Sequence, residues 1–178
     1  DTLWWDLGTS PILTKSHVII TVMQTGPSYL AAFDKISGKS AWKVDRNLNA
    51  PEEAAQAYST PVVEWIDDKE RIYVLGADHA TGHDAATGKE LWRVGGLNPT
   101  QHQYFRSISG PVLAGSTLVA PYARGGSVTG IQLGGSGDVT KSHVVDAPVR
   151  ITEEGVNLEG LVADYERSLL CEALTQTR

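Results

Sequence analysis

Asp84-Ala-Ala-Thr-Gly-Lys-Glu-Leu-Trp92 is the stretch that decides the fold, because the chain contains it twice. Fifty residues earlier it reads Asp34-Lys-Ile-Ser-Gly-Lys-Ser-Ala-Trp42. Asp34 and Asp84, Ser37 and Thr87, Gly38 and Gly88, Lys39 and Lys89, and Trp42 and Trp92 all share that offset, and Pro11, Pro61 and Pro111 keep the same step. A fixed period of about 20–50 residues marks an array of supersecondary units, none of which buries its apolar faces alone.

Each unit reads as strands. After the proline comes a short apolar run, Pro11-Ile-Leu, Pro61-Val-Val or Pro111-Val-Leu. Proline suits the first residue of a strand, where its missing N–H breaks no ladder. A second strand follows at His17–Met23, at Arg71–Leu75 and at Thr117–Ala120, rich in β-branched residues. A third spans Tyr29–Phe33 and its counterpart near Ala80. Asp34-Lys-Ile-Ser-Gly38 and Asp84-Ala-Ala-Thr-Gly88 are then tight turns: Asp bonds its own backbone two residues on, and Gly takes positive φ without a Cβ clash. The tryptophan-bearing run makes a fourth strand with its indole on one face.

Four strands per unit is a propeller blade. The expected class is all-β, a partial β-propeller of four-stranded antiparallel blades with a C-terminal α-helix. At 50 residues per blade the chain supplies about 2.5 to 3 blades of a ring that has about 4–8. The blades are expected near 10–50, 59–96 and 109–145, within a propeller part spanning 1–145. Trp4-Trp5 reads as the last strand of a preceding blade, and no initiator methionine or signal-like apolar stretch opens the chain. The expectation is an interior piece of a larger propeller.

The motif Asp-x-x-Thr/Ser-Gly-Lys-x-x-Trp resembles the repeat of the PQQ-type β-propellers, which include quinoprotein dehydrogenases, outer-membrane assembly lipoproteins of the BamB type and other envelope proteins. It is not the WD repeat, in which Trp precedes Asp directly; here the tryptophan falls eight residues after the aspartate. The third unit is degenerate, with Ser142 where the offset places tryptophan. Its Gly135-Ser-Gly-Asp-Val-Thr-Lys-Ser-His143 stretch resembles a loop of the envelope members.

From Asp146 to Arg178 the composition changes. Leu158, Leu161, Val162, Tyr165, Leu169, Ala173 and Leu174 fall at the steps of an amphipathic helix, with Asn157 as N-cap. Residues 146–178 are expected to be a linker and a helix that packs on a partner or dimerises. They resemble the helix that leads into the Fis-type DNA-binding domain of bacterial enhancer-binding activators, either as a genuine fusion or as a joining artefact.

Hydrophobic content of 41% and charged content of 20% are ordinary globular usage, and 18 glycines suit a turn-rich β protein. A net charge of −6 argues against nucleic-acid binding by the propeller part. The longest apolar run is too short to span a membrane. The sole cysteine, Cys171, leaves the propeller part free of thiols, which is compatible with an oxidising compartment.

Candidates for chemistry are few. His79, His83, Asp78 and Asp84 are the densest set of metal-ligand types, but Asp84 serves the repeat turn and Gly82 interrupts the strand. A surface loop without metal is expected there. His17, His102 and His143 are scattered, and no Ser-His-Asp spacing emerges. Arg106 and Arg124 are expected in surface salt bridges. The glycines from Gly125 to Gly137 lack a phosphate loop's Gly-Lys-Ser/Thr ending and read as a flexible blade connection. Trp42 and Trp92 are expected to pack between blades, as an indole buries much apolar area while its N–H seeks a partner.

In the quinoprotein dehydrogenases that the repeat resembles, adjacent cysteines, a tryptophan and calcium ligands hold the quinone. No such set is visible, and no catalytic, cofactor-binding or metal residue is assigned. The resemblance implies a non-catalytic scaffold of the bacterial envelope or periplasm, with protein partners at its loops and faces. The alternatives are a fragment of a PQQ-dependent dehydrogenase and a propeller-fused transcriptional regulator.

Overall fold

The computed structural model describes residues 8–122 and 127–150. The first sheet takes the strands β1 (Ile12–Leu13), β2 (His17–Val22), β3 (Tyr29–Asp34) and β4 (Ser40–Asp45) in chain order. The second takes β5 (Val62–Ile66), β6 (Lys69–Gly76), β7 (His79–Asp84) and β8 (Glu90–Val94). In the third, β9 (Val112–Ala114), β10 (Thr117–Tyr122) and β11 (Ser127–Gln132) are joined by β13 (Val144–Arg150). Every pairing within these sets of four is antiparallel.

The turns before the fourth strands are built alike. Asp34 Oδ1 accepts from the Ser37 N–H and the Ser37 hydroxyl, both at 2.7 Å. Asp84 Oδ1 accepts from the Thr87 N–H at 2.9 Å and its hydroxyl at 2.8 Å. Gly38 and Gly88 then take φ of +69° and +75° and donate their N–H groups to the Asp34 and Asp84 carbonyls. The Ser37 hydrogen bonds hold the Asp34 carboxyl below its ordinary pKa.

Register aligns one cross-strand row in each sheet. Ile12, Ile19, Ala32 and Trp42 stand opposite one another in the first, and Val62, Tyr73, Gly82 and Trp92 in the second. The third row is Val112, Val119, Gly130 and Val145. The first row packs on the second sheet, where Ile19, Ala32 and Trp42 meet Ile72 and Ala85. From the second row, Tyr73 and Trp92 pack on Leu118, Ala120 and Ile131 of the third sheet. The core therefore lies between sheets, face against face.

On one side the lead-ins to the first strands converge. Ser10 donates its N–H to Thr60 Oγ1 at 3.1 Å, Tyr58 donates to the Ser107 carbonyl at 2.8 Å, and Ala57 bridges Ser107 in parallel. Side-by-side first strands with sheets stacked face to face make this a partial β-propeller.

The third unit differs from its expected layout. The place opposite Gly130 belongs to Val145, not Ser142. Ser142 lies in a single helical turn, Thr140–His143. Just before it, β12 (Gly137–Asp138) pairs in parallel with Trp92 and Arg93 of β8. The Asp138 carboxyl accepts from the Thr140 N–H and ends that strand. The glycine-rich run is likewise not a plain connection: Gly130 stands inside β11 and Gly137 in β12. β13 runs through residue 146, where the composition placed the start of a linker. The expected helix with Asn157 and Leu158, Trp4-Trp5, Arg124 and Cys171 lie outside the described residues.

Candidate functional site

The two repeat tryptophans do different work. Trp42 donates its Nε1–H to the Ala85 carbonyl of the next sheet at 3.2 Å. Its ring lies against Gly88, where an added Cβ would stand 2.6 Å from Cε3. Trp92 instead lies over its own cross-strand neighbour: a Cβ on Gly82 would stand 2.4 Å from Cε2 and Nε1. It is 1% exposed, its ring centroid is 5.7 Å from that of Tyr73, and its N–H has no partner among the described residues. Ala32 stands opposite Trp42, whereas Gly82 opposite Trp92 leaves the space that the ring fills.

Arg46, immediately after β4, is 1% exposed and reaches into the second sheet. Its Nε donates to Thr81 Oγ1 at 2.9 Å, Nη1 to the Gly76 carbonyl at 3.1 Å, and Nη2 to the carbonyls of His79 at 3.3 Å and Val74 at 3.4 Å. No carboxylate pairs with it among the described residues. Burial lowers its pKa to about 10, so it stays protonated at neutral pH. The rigid guanidinium fork suits this cluster of acceptors.

Thr81 passes the chain of hydrogen bonds onward. Its hydroxyl lies 2.9 Å from His83 Nε2, and His83 Nδ1 lies 3.0 Å from the Gly88 carbonyl. A carbonyl only accepts, so Nδ1 carries the proton and Nε2 accepts from Thr81. His83 is 1% exposed. Burial, seconded by the Arg46 charge, lowers its pKa to about 4 and holds it neutral.

A second buried polar cluster joins the second and third sheets. The Tyr122 hydroxyl bonds the Asp78 carboxylate and receives the Asp78 N–H at 2.8 Å. Asn98 donates its side-chain amide to Asp78 Oδ2 at 3.1 Å and to the His102 carbonyl at 3.1 Å. Burial raises the pKa of the Asp78 carboxyl, and burial with the Asp78 contact raises that of the Tyr122 hydroxyl. Nearby, the Arg106 guanidinium pairs with Glu53, half-buried.

His79, His83, Asp78 and Asp84, the four residues of metal-ligand type, are therefore not brought together. His83 and Asp78 face inward into separate networks on a strand and its turn, not in a surface loop, while Asp84 holds the repeat turn. No group of three or more metal-ligating side chains occurs among the described residues. Among the described residues both repeat indoles pack against sheets, and the sequence holds a single cysteine, Cys171. A cavity of about 160 Å³ lies beside Arg46, lined also by Gln24, Ser28, Asn47, Glu52 and Ala77. It is smaller than the ~300–1,000 Å³ of ordinary small-molecule sites.

The sequence reading missed Arg46, Asn98 and Tyr122. None carries a repeat signal: Gly96 stands 50 residues after Arg46, and the partners of Asn98 and Tyr122 are set by the tertiary fold.

Stacked four-stranded sheets linked by tryptophans and buried polar bridges define a segment of a β-propeller. The chain belongs to the family described as outer membrane protein assembly factor BamB, whose model matches residues 4–170. That match takes in 146–170, the stretch that resembled the lead-in to a Fis-type domain. No curated protein matches the chain.

Among solved structures it is similar to the quinohemoprotein alcohol dehydrogenase of Comamonas testosteroni, with 16% identity and a TM-score of 0.55 over 71% of this chain and 19% of that one. A europium-containing methanol dehydrogenase matches at 16% identity and a TM-score of 0.52, over 84% of this chain and 26% of that one. BamB from Moraxella catarrhalis matches at 13% identity and a TM-score of 0.46, over 82% and 36%. The chain thus spans 19% to 36% of the length of these proteins. The first two likenesses support the fold. No helix among the described residues is long and apolar enough to cross a membrane.

Proposed function

We propose that the chain is part of a non-catalytic propeller that acts as a scaffold for protein partners in the bacterial envelope. The observation that carries this reading is the inward commitment of its buried polar side chains. Arg46, Asp78, His83 and Tyr122 direct their hydrogen bonds at the chain itself. The surface in turn offers large apolar side chains, Ile36 in a repeat turn at 86% exposed and Trp65 on strand β5 at 55%. The family description, an assembly factor of the outer membrane, supports the same reading.

The test places a photo-crosslinking amino acid at Ile36 or Trp65 in cells producing the protein. A discrete adduct with an envelope protein, absent when the label sits at buried Leu75, is expected. Failure to form any adduct, together with saturable PQQ binding and calcium-dependent dye reduction by the purified protein, would replace the scaffold with a quinoprotein.

A further inference from the structure

The fourth strands of the first two blades share one local design. Trp42, Lys43 and Val44 stand 50 residues before Trp92, Arg93 and Val94. Each strand carries the same bulge: Ala41 is the extra residue between the partners of Ala32 and Phe33, and Leu91 between those of Gly82 and His83. Their outer edges differ. That of β8 is covered by β12, whereas no strand pairs with that of β4 among the described residues.

The β8 edge shows what such an edge takes. Gly137, at φ of +72°, stands beside Trp92, and Asp138 beside Arg93, in parallel. The Val139 N–H donates to the Arg93 carbonyl at 2.9 Å, and the Gly95 N–H donates to Thr140 Oγ1 at 2.8 Å. Three features mark the added segment: a glycine beside the tryptophan, a carboxylate beside the cation, and a hydroxyl that accepts the N–H beyond the strand.

β4 repeats the receiving half of that set. Val44 stands opposite Leu30, and Arg46 donates its N–H to the Ser28 carbonyl. Backbone groups alternate sides along an antiparallel strand, so the Lys43 carbonyl and the Asp45 N–H turn outward, at the places of the Arg93 carbonyl and the Gly95 N–H. Lys43 supplies the cation, its ammonium 3.7 Å over the Tyr29 ring. Ser40, Ala41, Lys43 and Asp45 are all exposed. A bare row of N–H and C=O groups is a template for another strand, and the charges of Lys43 and Asp45 make this one selective, favouring a single acid beside Lys43. A second copy has no matching segment to spare, because its own Gly137–Thr140 is held on β8.

We propose that the outer edge of β4 takes a parallel extended segment of the type Gly-Asp/Glu-x-Thr/Ser from a protein partner, its acid beside Lys43 and its hydroxyl on the Asp45 N–H. In strand addition the main-chain hydrogen bonds give affinity and the flanking side chains give choice. The inference rests on the scaffold reading and adds to it a site on a strand edge rather than at Ile36 or Trp65.

The test titrates a fluorescent peptide, Gly-Ser-Gly-Asp-Val-Thr-Lys-Ser, the sequence of residues 135–142, with the full chain and reads its anisotropy. Saturable binding is expected. Lys43→Glu should weaken it at least ~10-fold, and a peptide with lysine in place of its aspartate should restore it. Asp45→Pro, which removes an outward N–H while Val44 and Arg46 keep their bonds within the sheet, should abolish binding with the urea midpoint little changed. No saturable binding, or equal binding of a scrambled peptide, would overturn the inference. So would a concentration-dependent dimer of the parent chain that Lys43→Glu dissolves, since the edge would then belong to a second copy. Envelope adducts at Ile36 or Trp65 without peptide binding would overturn this site and leave the scaffold standing.

Discussion

Trp42 and Ala85 are joined by a hydrogen bond of 3.2 Å across 43 residues of chain, the indole N–H of one blade donating to a turn carbonyl of the next. The same ring occupies the space that a side chain on Gly88 would need. The second repeat turn is thus shaped twice over, by its own aspartate and by the tryptophan of the preceding unit.

Gly88→Ala should destabilise the 178-residue chain by at least ~1 kcal/mol from the left-handed backbone alone, and further from the clash with Trp42. In a Trp42→Ala background the penalty should shrink by about 0.5 kcal/mol or more, because the residues are in contact. Urea unfolding of the four proteins of the cycle measures it; strict additivity would show that the ring does not press on the turn.

Gly82 takes no positive φ, so Gly82→Ala isolates the displacement of Trp92. Overpacking of this kind costs about 1–3 kcal/mol. Trp92→Ala, which empties a buried site, should cost about 3–5 kcal/mol. A loss below about 1 kcal/mol for Trp92→Ala, read from the urea midpoint, would contradict its packing role.

Arg46→Lys retains the charge and loses the fork. An ammonium cannot meet the Thr81 hydroxyl and the carbonyls of Gly76, Val74 and His79 together, so at least one acceptor is left dry, at about 1–3 kcal/mol. Arg46→Lys should therefore unfold at clearly lower urea than the parent protein, and an equal midpoint would show that charge alone suffices.

His83 makes stability fall with acid. Its folded pKa of about 4 lies below the ordinary 6.5, so the unfolded chain binds the extra proton first. Its contribution is fully present above pH 6.5 and is lost as pH falls toward 4, by on the order of 3 kcal/mol. Asp78 acts in the opposite sense: its carboxyl pKa is raised, so its contribution is lost as pH rises through the folded value. Urea midpoints between about pH 7 and pH 4.5 should drop steeply for the parent and much less for His83→Gln. Parallel curves would place the acid sensitivity elsewhere.

The parts of the fold legible in the sequence are those that local chemistry fixes. Asp34 with Ser37 and Asp84 with Thr87 announce their turns because each hydrogen bond spans three residues. Pro11, Pro61 and Pro111 precede first strands for an equally local reason. Arg46 could not be read this way, since its acceptors lie 28 to 35 residues away and exist only once two sheets have stacked. Nor could the place of Val145: the third unit keeps its glycines but inserts β12 and a helical turn before its fourth strand. That shift moves the fourth strand out of the 50-residue step, so the offset pointed to Ser142.

The parallel pairing of Gly137–Asp138 with Trp92–Arg93 separates the unit of inheritance from the unit of architecture. A recombination event that cut cleanly before Pro111 would move one whole 50-residue copy yet strip the second blade of its outermost strand. Copies can be gained or lost in such a gene only if the incoming stretch brings its own lace for the blade before it. A seam after residue 138 would keep that blade whole but would part β13 from the rest of the third, so the weave leaves no seam between these copies that spares both blades.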